Sequence, residues 1–202
     1  MIVLFIMLAS VVLLTFCFFT TFASQGDYVQ WITYTGEIPN NAVPGGSDAK
    51  NNPEFIGRAF YATDSFTDGW TENSTEGYFP GVLQNGAESI EVIVYREPHT
   101  ITEGIEILVA NEETHLEWKE VMSFEFPKLF DDPRYHPVIV GNEFHGFLYN
   151  STVYLGRVNH QGSDVFGKIL NIANAGENKI LYYAFQGEFH TAEKYDVLVY
   201  YF

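Results

Sequence analysis

Arg58 lies in "PEFIGRAFY" (53–61) and Arg157 in "VYLGRVNH" (153–160), each preceded by glycine and set among apolar residues. A guanidinium in such surroundings is tolerated only when carboxylates or carbonyls accept its N–H donors. The acidic residues of the downstream segments, Glu106 and Asp196, are the expected partners, and the expected chemistry is a fixed ion pair. Glycine inside a strand lets another segment approach closely, so each Gly-Arg pair reads as a packing pivot beside a structural charge.

Two further elements could do chemistry. "EFHG" (143–146) and "EFHT" (188–191) each place a glutamate and a histidine on one strand face. The six histidines show no spacing typical of a zinc site, so no metal and no cofactor is expected. Glu143 and Glu188 could in principle form a glycosidase carboxylate pair, but acidic residues are abundant enough for such pairs to arise by coincidence. No Gly-rich phosphate loop, Gly-x-Ser-x-Gly elbow or cysteine nucleophile accompanies them; the chain reads as a non-enzyme. "NST" at Asn73 and again at Asn150 marks two glycosylation acceptors if the chain is secreted.

The elements that must position these residues are strands. "EVIVYRE" (91–97), "IEILVAN" (105–111), "TVYLGRV" (152–158), "KILYYAF" (179–185) and "YDVLVYYF" (195–202) are rich in β-branched and aromatic residues and bounded by Gly, Asn and Pro clusters. Helical periodicity is scarce. The expected fold is all-β, with antiparallel sheets packed face to face. The terminal "YDVLVYYF" would be a dimer seam if it were an edge and plain core if it were central.

Residues 1–23 carry no Lys, Arg, Asp or Glu and read as a secretory signal peptide, with Thr21 and Ala23 at the positions a signal peptidase inspects; an uncleaved anchor is the alternative. Cys17, the only cysteine, lies inside that segment, so the mature chain would be free of disulfides and stable through burial alone. Secretion to the extracellular space is expected, with no membrane contact after cleavage. The 26 acidic and 10 basic residues give a net charge of -16, which disfavours phosphate backbones and anionic lipid, so no nucleic acid partner is expected.

Internal similarity organises the rest. Trp31 corresponds to Trp118, "FIGRA" to "YLGRV", and 93–109 to 181–199. Two tandem pseudo-symmetric antiparallel β repeats, 24–115 and 116–202, are expected to form one β-sandwich-like unit.

The run "WITYTGEIPNNAVPGGSDAKNNPEFIGRAF" (31–60) resembles the DM-nine repeat: a Trp, then Pro-x-Asn-Ala-Val, Gly-Gly-x-Asp and Gly-Arg-Ala in order. The second half follows with "VIVGNEF" (138–144), "YLGRV", "VFGKI" (165–169), "FQGEFH" (185–190) and "YDVLV". The resemblance implies a two-repeat β protein of a family that includes mannose-binding lectins of innate recognition, in which an Asp and a Lys hold sugar hydroxyls. Carried over, the first half supplies Asp48 with Trp70 at the lysine position, and the second supplies Lys168 with Glu143 at the aspartate position. Trp70 could stack on a sugar face. The implied partner is a mannose-type glycan or a cell-surface glycoprotein, with homodimerisation a route to avidity. The competing reading is an interaction module that has lost the sugar site and binds a protein.

Overall fold

The computed structural model describes residues 25–63, 74–146, 149–171 and 179–201. Residues 1–23 with Cys17, and Trp70 and Asn73, lie outside them. The first half runs β1 (Val29–Thr33), β2 (Pro44–Ser47), β3 (Pro53–Ala62), β4 (Thr75–Leu83), β5 (Ile90–Val94), β6 (Glu97–Ile101) and β7 (Ile105–Ala110). The second runs β8 (His115–Met122), β9 (His136–Pro137), β10 (Ile139–His145), β11 (Tyr149–His160), β12 (Ser163–Asn171), β13 (Leu181–Phe185), β14 (Glu188–Ala192) and β15 (Lys194–Tyr201). The fold is all-β: a large antiparallel sheet holds every described strand except the β5–β6 hairpin, which forms a second small sheet.

Strand pairing makes the internal repeat explicit. In the first half β1 pairs β7, β7 pairs β3 and β3 pairs β4; in the second β8 pairs β15, β15 pairs β11 and β11 pairs β12. Trp31 faces Leu108 as Trp118 faces Leu198, and Arg58 faces Glu106 as Arg157 faces Asp196. The register shift between Pro44 and Gly46 recurs between Ile139 and Gly141. Counting from these bulges, Gly45 corresponds to Val140 and Asp48 to Glu143.

Register also corrects two sequence readings. "EVIVYRE" is not one strand: β5 stops at Val94, and Val94 pairs with Glu97 across a two-residue turn in which Tyr95 has φ 53°. Gly57 pairs with Gly81 as Gly156 pairs with Gly167, so the counterpart of Lys168 is Val82 and not Trp70. Insertions in the 63–74 connection had displaced that alignment. The terminal strand β15 is paired with β8 on one side and with β11 and β9 on the other, so it is an interior strand rather than an exposed seam.

The two halves share a core. Val29, Val43, Ile56 and Leu108 pack with Val138, Val153, Leu155, Phe166 and Leu198. Each fully buried side chain of this size contributes about 1.5–3 kcal/mol, against a net domain stability of roughly 5–15 kcal/mol. Exposing this face would exceed that margin, so the halves stand or fall together. Separate clusters lie under the β5–β6 hairpin and around β13 and β15. Gly57 and Gly81 admit the first hairpin: a Cβ on Gly81 would collide with the backbone carbonyl of Glu91, and one on Gly57 with Leu83 and Ile90. Gly167 and Gly156 play the same part against Tyr182 and Leu181.

Candidate functional site

Arg58 pairs with Glu106 at 2.5 Å and donates through Nη1 to the carbonyl of Val140. Arg157 pairs with Asp196 at 2.8 Å and donates through Nη1 to the carbonyl of Gly45 at 2.6 Å. Each arginine therefore crosses to the bulge of the opposite half. Arg58 lies 4.7 Å from the Trp31 ring and 4.1 Å from that of Tyr78, and Arg157 lies 4.2 Å from that of Trp118. Burial lowers the Arg58 pKa and Glu106 opposes the shift. Through these pairs the two arginines tie the halves together.

Lys168 and Glu143 meet at 2.6 Å, but in the interior, with side chains 1% and 0% exposed. The other Glu143 oxygen accepts from the Tyr149 hydroxyl at 3.0 Å, and the ammonium lies 4.9 Å from the Phe79 ring. Burial pushes the Lys168 pKa down while Glu143 pushes it up. Tyr95, at the β5–β6 turn, stacks on His145 at 4.2 Å, and His145 stacks on Tyr149. An open cleft at this pair was required for a sugar contact; it is closed. Burial keeps the Glu143 carboxylate out of contact with solvent.

Asp48 is half-buried and turned on its own loop. Its carboxylate accepts from the backbone N–H groups of Lys50 and Asn52, each at 2.8 Å, and from the Asn52 side-chain amide at 2.7 Å. These bonds, the Asn52 amide first, lower its pKa. Asp48 thus shapes the β2–β3 turn, an Asx-type role. Asn150 is exposed on β11, opposite Phe144 of β10. Among the described residues no group of three or more His, Cys, Asp or Glu could hold a metal ion; His190 pairs loosely with Glu188 at 3.9 Å, and His145 Nδ1 meets Thr75 Oγ1 at 2.5 Å.

An open site with polar lining lies elsewhere, smaller than two other surface pockets of about 430 and 360 Å³. A cleft of about 190 Å³ sits at the seam, with Glu54 and Val82 on one wall and Ser163, Asp164, Phe166 and Phe185 on the other. Gly45 and Gly46 are part of its construction, since a Cβ on either would strike Phe166 or Asp164. Asp164 Oδ2 accepts from the Ser47 N–H at 3.2 Å, and Ser163 Oγ accepts from that of Ala49 at 3.1 Å. Glu54 is 6% exposed. Gln84 donates to its Oε1 at 3.3 Å, while Oε2 has no hydrogen-bond partner among the described residues. Burial raises its pKa to about 7; the Gln84 bond opposes this, and the Asp48 and Asp164 charges add to it.

Glu54 was not singled out in the sequence, although a signal existed. With Gly57 and Gly156 aligned, Glu54 occupies the position of Val153, which is fully buried. A carboxylate standing where the sister repeat places a core valine is an exception that packing alone does not produce. No protein-family model matches the chain, and a search of curated proteins finds no match.

Proposed function

We propose that the protein is a secreted, non-enzymatic, carbohydrate-binding protein of the lectin type, and that its sugar site is the seam cleft around Glu54, Ser163 and Asp164. The supporting observation is the cleft itself: three acidic residues and a serine line it beside two phenylalanines in about 190 Å³. Carboxylates accept from vicinal hydroxyls with directional, charge-assisted bonds, and an aromatic ring can cover the apolar face of a pyranose. The volume is below that of sites for drug-sized molecules, roughly 300–1,000 Å³, and suits one monosaccharide unit. The resemblance to DM-nine repeats motivates the class, and the mannose-type specificity comes from that resemblance alone. The buried Glu143–Lys168 pair is assigned a structural role.

One such site would bind at roughly millimolar strength, about -4 kcal/mol, so recognition of a surface would depend on clustering. A second reading, a protein-interaction module, draws on Phe124 and Phe130, which are 58% and 45% exposed beside the 3-10 turn Phe126–Phe130. A high-density glycan array separates the two, run with the full chain and with Asp164→Asn. Hexose signals weakened by the substitution support the lectin. Silence from both proteins removes it and sends the search to protein partners.

A further inference from the structure

We infer that the seam cleft is built to receive an ammonium group, so that its preferred ligand is a hexose carrying a free amine rather than a neutral, acetylated or acidic sugar. The ring part of this inference rests on the sugar reading of the cleft; the ammonium part rests on Glu54.

The charges of the cleft all have one sign. Glu54, Glu91 and Asp164 line it, and among the described residues no Lys, Arg or His does. Glu91 accepts from the Gly187 N–H at 2.9 Å through Oε1, and Asp164 accepts from Ser47 and Asn159. Glu54, which also lines the cleft, differs from both, being more than nine-tenths buried with one carboxylate oxygen unmet among the described residues. A buried carboxylate oxygen without a donor is costly, and it is retained where a core valine serves the sister repeat.

The second half supplies an internal template for what is missing. There, the residue after the paired strand glycine Gly167 is Lys168, and its ammonium meets Glu143 at 2.6 Å. In the first half the corresponding residue after Gly81 is Val82, which lines the cleft, while the carboxylate comes from Glu54 on the neighbouring strand. One repeat carries its own ammonium on an internal carboxylate. The other carries a buried carboxylate with one oxygen unmet, and no ammonium on it. A ligand amine supplies three N–H donors and the positive charge, which three surrounding carboxylates favour. An acidic sugar would meet those carboxylates as a like charge, and an N-acetyl group would remove the cation.

The test is isothermal titration of the full chain at pH 7 with D-glucosamine, D-mannosamine, N-acetyl-D-glucosamine, D-mannose and ethylamine, repeated with Glu54→Gln and with Val82→Lys. The amino sugars are expected to bind roughly ten- to a hundred-fold more tightly than the acetylated and neutral ones, the range for a charge-assisted bond. Glu54→Gln should erase that advantage. Val82→Lys, which puts a lysine where the sister repeat has one, should abolish amine binding while the protein stays folded. Equal binding of amino and neutral sugars would overturn the ammonium inference and leave the sugar reading standing. Binding of ethylamine with no gain from any hexose ring would uphold the ammonium site and overturn the sugar reading. Failure of every probe to bind would overturn both.

Discussion

Arg157 donates through Nη1 to the backbone carbonyl of Gly45 at 2.6 Å, from one half of the protein to the bulge of the other. Arg58 makes the reciprocal bond to Val140, so the Gly-Arg pair occurs twice because the clasp is mutual. Arg157→Met keeps bulk over Trp118 but strands Asp196 and the Gly45 carbonyl in a half-buried site. The expected loss is about 2–4 kcal/mol, read as a lower urea midpoint at unchanged slope. A change within about 0.5 kcal/mol, the range of an ordinary surface substitution, would show that the clasp contributes nothing to stability.

The Glu143–Lys168 pair should behave as an interior ion pair. Lys168→Ala and Glu143→Ala each leave one charge buried and unpaired, at an expected cost of about 3–5 kcal/mol. Replacing both, as Glu143→Leu with Lys168→Met, removes the desolvation penalty along with the attraction and should come close to wild-type stability. Denaturation of the three variants decides the matter. Single variants that unfold at the wild-type midpoint would mean the pair is solvated and open to ligands.

Gly81 lets the β5–β6 hairpin lie against β4. Gly81→Ala pushes a methyl into the carbonyl of Glu91, which is backbone and cannot swing aside. Overpacking of this kind costs about 1–3 kcal/mol, and Gly81 also lines the seam cleft, so ligand binding should weaken with stability. Gly167→Ala, which meets the carbonyl of Tyr182 in the sister repeat, serves as the comparison. It should cost similar stability and leave the cleft's ligand contacts in place. Equal loss of binding in both variants would show that the cleft depends on global stability rather than on this wall.

The all-β class and the repeat were legible because alternation and the Gly-Arg landmarks are local signals. Arg58 with Glu106 and Arg157 with Asp196 were legible because a charge among apolar residues demands a partner. Whether a pair faces solvent is a tertiary property, and nothing local distinguishes the buried Glu143 and Lys168 from a surface pair. The lysine position was misplaced at Trp70 because loops of unequal length break a residue-by-residue alignment, whereas the Gly57–Gly81 register restores it at Val82. Glu54 was readable by laying "PEFIGRA" on "TVYLGRV" and asking why a glutamate stands against a valine.

Glu54 makes a prediction about pH. Its folded pKa, about 7, lies above the ordinary 4.5, chiefly through burial, with the Asp48 and Asp164 charges adding and the Gln84 bond opposing. Below pH 4.5 the group is protonated folded or unfolded and has no effect on the balance. Between pH 4.5 and about 7 the unfolded chain has given up the proton that the folded chain keeps, so this group makes the protein less stable as pH rises. The full effect is roughly 3 kcal/mol. Other carboxylates titrate in the same window, and the acidic surface adds its own repulsion, so the useful quantity is the difference from Glu54→Gln. That variant should match wild type near pH 4 and exceed it by about 3 kcal/mol at pH 8, measured by urea denaturation across the range. A difference independent of pH would place the Glu54 carboxyl in solvent and remove the buried, unmet carboxylate on which the ammonium site rests.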